Sequence, residues 1–158
     1  MICRKWDSKL KVKELGFCEE DLWVFGKDGY DIWNNLESIS INSIGSRAFP
    51  NIGWYILRKD KNYMLVSCGP NGQNGNGGHS HNDKLSFELC VNGEDIIIDP
   101  GTYVYTPFPE WRNKFRSTSF HNTIVVDNKE QNRFNDKSIF CLGEDASVKV
   151  NNWKATKE

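Results

Sequence analysis

His79 and His81 stand one residue apart in "GGHSHNDKLSFELCVNGEDIIIDPGTY", Gly77 to Tyr103, followed by Asp83. In an extended chain, residues two apart point the same way, so His79, His81 and Asp83 are expected on one face, leading into Leu85 and Phe87. Two imidazoles ~7 Å apart along a strand can serve one site. Asp99 ends the returning strand of the same hairpin and is expected beside His81. His121, the third histidine of the chain, opens the run "HNTIVVD". Two imidazoles and a carboxylate arriving from three strands suit a divalent cation such as zinc. Each also has a plainer role: a hydrogen-bonding strand-end histidine, or an aspartate capping the Asp99-Pro100-Gly101 turn.

A second cluster follows in "TYVYTPFPEWRNKFRSTSFHNT". Arg112, Lys114 and Arg116 crowd toward His121, with Tyr103, Tyr105 and Trp111 nearby. Arginine grips carboxylates in bidentate fashion, and flat aromatic rings suit sugar faces, so an acidic sugar is the expected ligand. The alternative is a solvated loop whose arginines pair with acids of the chain.

The elements that must hold these residues read as β. Thr, Val, Ile and aromatic runs recur between turns from Ser38 onward: a strand before Pro50–Gly53, one through Arg58, one through Cys68, then "LSFELCV" and "DIIID" joined by Asn92-Gly93. "HNTIVVD", "SIFCLG" and "ASVKV" are expected to be further strands. Short strands without a strong amphipathic helix predict an all-β, antiparallel β-sandwich or open barrel. Residues 1–37 read as a linker with a helical turn over Glu19–Phe25, a break at Gly26/Gly29 and another helical stretch to Leu36. Trp23 and Trp33 there need a neighbour, either another domain or this domain's own sheet.

The 158 residues allow one domain of ordinary size. Twenty basic against twenty-one acidic residues leave a net charge of −1, which gives no global field toward nucleic acid or membrane. Five scattered cysteines without a Cys-x-x-Cys pair argue against a disulfide framework and a cysteine-ligated zinc. "CGPNGQNGNGG" lacks the Lys-Ser/Thr ending of a phosphate-cradling loop. "ICRKWDSKLKVKE" has no apolar core of the kind an export signal carries.

"GGHSHNDKLSFEL", "DPGTYVYT", "RNKFRSTSFHNTIVVD" with Glu130-Gln131, "LWVFG" and "GWYILR" together resemble the heparinase II/III-like polysaccharide lyases, which include alginate lyases. The resemblance runs collinearly over roughly residues 20–135. It implies a C-terminal β-sandwich, residues 38–158 and truncated at its end, preceded by a linker (1–37) from an N-terminal helical toroid that this chain lacks. It implies β-elimination on uronic-acid polysaccharide, often in the periplasm. His79 then corresponds to the catalytic histidine and His81, Asp99 and His121 to ligands of a structural zinc. Tyr105, or else Tyr103, would assist at the substrate, and Arg112 and Arg116 would contact uronate or hold the "RST" loop. Toroid residues complete the site in such lyases, so the isolated domain is expected to be inactive. A cupin-like metal barrel also opens a strand with His-x-His, but needs a glutamate in phase with it, and Glu88 is out of phase with His81. A non-catalytic sugar-binding module is the third reading.

Overall fold

The computed structural model describes residues 10–12, 15–40, 43–72 and 75–156. The chain divides into two compact units, Met1–Ile44 and Gly45–Glu158.

In the first unit, strand β1 (Leu10–Val12) pairs in parallel with β2 (Glu37–Ile39), and helix α1 (Glu19–Asn34) connects them. Three acids in the first turn, Glu19, Glu20 and Asp21, favour the positive end of the helix dipole. Asp21 Oδ2 accepts the backbone N–H of Cys18 at 3.1 Å. Gly26 breaks the helix at φ 64°, ψ −167°, a conformation open only to glycine, and the expected interruption is there. No helix residue is buried, and Trp23 is 81% exposed. Trp33 instead packs within its unit, 6.2 Å from Phe17.

The second unit is built on a five-stranded antiparallel meander, β3 (Arg47–Phe49), β4 (Trp54–Lys59), β5 (Asn62–Ser67), β6 (Phe87–Val91) and β7 (Glu94–Ile97), in sequential order. The predicted turns close it. Asn92 and Gly93 both have positive φ (56° and 86°), as a two-residue hairpin turn matched to strand twist requires, and Val91 faces Glu94 across it. The architecture is all-β and antiparallel, as expected of a sandwich. Later segments lie against the sheet, Trp153 meeting Tyr55 of β4 at 5.3 Å.

Two expectations fail. "HNTIVVD", "SIFCLG" and "ASVKV" form no strand; among the described residues there are only single bridges, Gly78 to Cys141, Val126 to Lys129 and Phe134 to Leu142. An apolar run becomes a strand only where a partner ladder exists, and Ile124 and Val126 are 72% and 65% exposed. The strand carrying "LSFELCV" starts at Phe87 because Leu85 turns at φ 62°. The aromatic segment after Tyr103 contains a short helix, α2 (Pro109–Phe115), before a 3-10 turn, Thr118–Phe120. Proline at the first helical position and the basic residues Arg112 and Lys114 in the last turn favour that helix.

Buried apolar residues among those described are only Cys90 and Leu142, whereas nine polar or charged residues are buried, among them Asn82, Lys84, Arg112, Arg116, Thr118, His121 and Asn132. A buried polar cluster larger than the apolar core marks where the fold is specialised.

Candidate functional site

The predicted His-x-His strand is a loop. His79 sits at φ 57°, in the left-handed region, so the extended-chain geometry that would place three side chains on one face does not apply. The two histidines diverge instead. His79 is exposed; its N–H donates to the Phe140 carbonyl at 2.9 Å, and its ring stacks on Phe140 (4.8 Å, 19° between planes). Tyr105, 57% exposed, meets the His79 ring edge-on at 5.9 Å. His81 turns inward, its ring 5.2 Å from that of His121.

Asp99, expected beside His81, follows the end of β7 and meets His121. Its Oδ1 accepts the Gly101 N–H at 2.8 Å, closing the Pro-Gly turn, and its Oδ2 lies 2.6 Å from His121 Nδ1. The plain role and the site role are thus filled by one carboxylate, one oxygen each. The His121 side chain is fully buried, and its Nε2 has no partner. Burial, then the neighbouring His121, push the His81 pKa down to about 4, so this imidazole is neutral. Burial pushes the Asp99 carboxyl up, but hydrogen bonds from His121 and the Gly101 amide outweigh it and hold it below its usual range.

A neutral imidazole, a buried unpaired imidazole nitrogen and an ionised carboxylate are a donor set that fits a divalent cation such as zinc. As arranged, Asp99 is engaged with His121, and among the described residues no three such side chains converge at coordination spacing.

Arg112 and Arg116 lie four apart on α2 and its cap, hence on one face, and both are buried. Arg112 Nη1 reaches the Tyr105 carbonyl at 3.4 Å. Arg116 donates from Nη1 to the Ile139 carbonyl (3.0 Å) and from Nη2 to that of Cys141 (3.3 Å), while its Nε is buried and unpaired. Neither forms an ion pair; the described ion pairs are His121–Asp99 and Arg133–Asp145.

Beside His79 opens a cleft of about 540 Å³, lined by Trp54, Asn71, His81, Lys84 and Thr102 among others. That lies within the ~300–1,000 Å³ of small-molecule sites. Lys84 is buried, its Nζ donating to the Gly69 carbonyl at 3.2 Å, and burial lowers its pKa.

Sequence reasoning missed what holds this together. Asn82, fully buried, donates through Nδ2 to Glu130 Oε2 (2.8 Å) and the Asn132 carbonyl (3.0 Å), and its Oδ1 accepts the Asn132 N–H (3.0 Å). The same Glu130 oxygen accepts the Thr118 N–H (2.7 Å) and hydroxyl (2.8 Å). One carboxylate therefore ties the His81 loop to the turn that delivers His121. The position of Asn82 beside His81 was a usable signal; nothing in the sequence marks Phe140.

The site and sheet together define an antiparallel β-domain whose polar core gathers histidines, a carboxylate and buried arginines at a cleft. The chain belongs to the heparinase II/III-like C-terminal domain family, which matches residues 42–152. It is 34% identical over 91 residues to a heparin-sulfate lyase of Bacteroides stercoris, covering 53% of this chain and 13% of that protein. Among solved structures, a heparinase III superposes with a TM-score of 0.52 at 28% identity, covering 71% of this chain and 18% of that one. A heparan sulfate lyase from Pedobacter heparinus does so with a TM-score of 0.52 at 25% identity, covering 70% and 18%. The chain thus spans less than a fifth of the length of these relatives, and what it shares with them is this C-terminal domain.

Proposed function

We propose that this domain contributes half of the active site of a lyase that cleaves uronic-acid polysaccharide by β-elimination. In that reaction the proton on C5, alpha to the uronate carboxyl, passes to a base. The C5–H electron pair forms the C4=C5 double bond, the C4–O bond breaks, and the departing oxygen takes a proton. His79 is the proton-transfer residue of this chain. The observation that supports this most is the divergence of the two imidazoles: both border the cleft, but His79 is exposed there while the His81 ring packs against the buried His121.

Tyr105 stands against His79 and would meet the sugar, and Arg112 supplies the nearby positive charge that favours the carboxylate as charge develops. Zinc would be held by His81, Asp99 and His121, in place of the hydrogen bond that now links the last two, and would lock the loops that present His79. The remainder of the parent protein, a helical domain by the resemblance above, would close the cleft and complete the site, so this domain alone would turn over little substrate.

The full-length parent should release unsaturated uronate, followed by its ultraviolet absorbance, from heparan sulfate or alginate. His79→Ala should lower kcat/KM by about 10²-fold or more. Undiminished activity in that variant would remove His79 from the chemistry.

A further inference from the structure

His79 is exposed and makes no hydrogen bond through its ring nitrogens among the described residues, so no carboxylate or carbonyl orients it. Its backbone is in the left-handed region, which strains a non-glycine residue. Something else must hold both backbone and ring. The backbone bond and the closer of the two ring contacts lead to Phe140: its carbonyl takes the His79 N–H, and its ring lies under the imidazole at 4.8 Å, nearer than the edge-on Tyr105 at 5.9 Å. Phe140 is in turn fixed from both sides. Arg116 donates to the carbonyls of Ile139 and Cys141, the residues flanking it, and Cys141 is bridged to Gly78, the residue before His79. The Arg116 carbonyl also takes the Asn82 N–H at 3.0 Å, so one arginine is bonded both to the segment that carries Phe140 and to the residue that follows His81.

We propose that Phe140, clamped by the two carbonyl hydrogen bonds of Arg116, is the positioning residue that aims His79 at the substrate. The guanidinium of Arg116 thus serves the histidine rather than the glycan. This rests on the role of His79 proposed above. A ring stacked at this distance fixes the imidazole plane without competing for its nitrogens, which leaves both free for proton transfer.

The test uses the full-length parent with 13Cε1-labelled histidine, the His79 signal being assigned by its loss in His79→Ala. Phe140→Leu should abolish the upfield ring-current displacement of that signal. It should also lower kcat on heparan sulfate or alginate by about tenfold or more, with KM within about twofold. Phe140→Tyr, which keeps the ring, should retain both. Arg116→Lys, which cannot span two carbonyls, should shift both in the direction of Phe140→Leu, and carries the test should that variant not fold. An unchanged kcat in Phe140→Leu or Arg116→Lys overturns the proposal, as does a folded Phe140→Tyr as impaired as Phe140→Leu. Should His79→Ala keep full activity, the catalytic reading fails instead, while the spectrum still reports whether Phe140 places the ring.

Discussion

Asn82 and Asn132 have no solvent exposure, and each satisfies the other. Asn132 returns its N–H and Nδ2 to Asn82 Oδ1, both at 3.0 Å, while its own Oδ1 takes the backbone N–H groups of Asp145 (2.9 Å) and Ala146 (3.1 Å). Truncating one member leaves the others buried and unpaired, which costs more than the bond itself contributed. Asn82→Ala should therefore destabilise the domain by about 3 kcal/mol, read as a fall in the urea midpoint at constant slope. A loss below about 1 kcal/mol would mean that the clasp is not what joins the His81 loop to the 130–132 segment. Residue chemistry of this kind was only partly legible. His79, His81 and His121 stood out because histidine is scarce in the chain, and Asp99 because it stands against Pro-Gly at the end of the hairpin. Asn82, Glu130 and Asn132 did not, because asparagines and glutamates are common and only long-range pairing, 48 to 50 residues apart, gives these a role.

Elements closed by local chemistry matched expectation: the Gly26 break in α1, the Asn92-Gly93 hairpin, the Asp99-Pro100-Gly101 turn. Those whose form depends on distant partners did not. The loop at His79 is bent by a carbonyl from Phe140, and the apolar run after His121 lacks a ladder. Helix α2 was legible in principle, since Pro109 and the four-residue spacing of Arg112 and Arg116 both mark it, but short aromatic segments read equally well as strand. One contact between elements is unusually close. Gly53 (φ 73°) ends the β3–β4 turn against the backbone of Cys68 and Gly69, and its carbonyl accepts the Cys68 N–H at 2.6 Å. A methyl group there would strike Gly69 Cα and N, which cannot rotate away. Gly53→Ala should cost at least about 2 kcal/mol by thermal or urea unfolding. Gly45→Ala, where nothing lies within 4 Å, should stay within about 0.5 kcal/mol. Because Gly69 also receives the Lys84 ammonium, Gly53→Ala is expected to disturb the cleft as well as the sheet. Equal effects of the two substitutions would show that the close approach carries no weight.

For the domain built on the five-stranded sheet, the balance of buried groups sets the expectation for metal. Among its described residues the buried apolar ones are Cys90 and Leu142, while Ile96, Ile98, Ile124 and Val126 stay exposed, so transfer of apolar surface alone gives it little stability. The polar cluster is a poor substitute, since its hydrogen bonds exchange for bonds to water with modest net gain. A cation bound by the folded state and not by the unfolded chain adds RT ln(1 + [L]/Kd), about 2.7 kcal/mol at a hundredfold excess over Kd. If zinc is held by His81, Asp99 and His121, adding it should raise the Tm by several degrees, and a chelator should reverse the gain. One zinc per chain should be found by atomic emission. His121→Ala should abolish the response. Cys141→Ser should leave it intact, which separates this site from thiols binding metal adventitiously. Unfolding that ignores both zinc and chelator, or a response that survives in His121→Ala, would refute the metal assignment while leaving the family and the fold untouched.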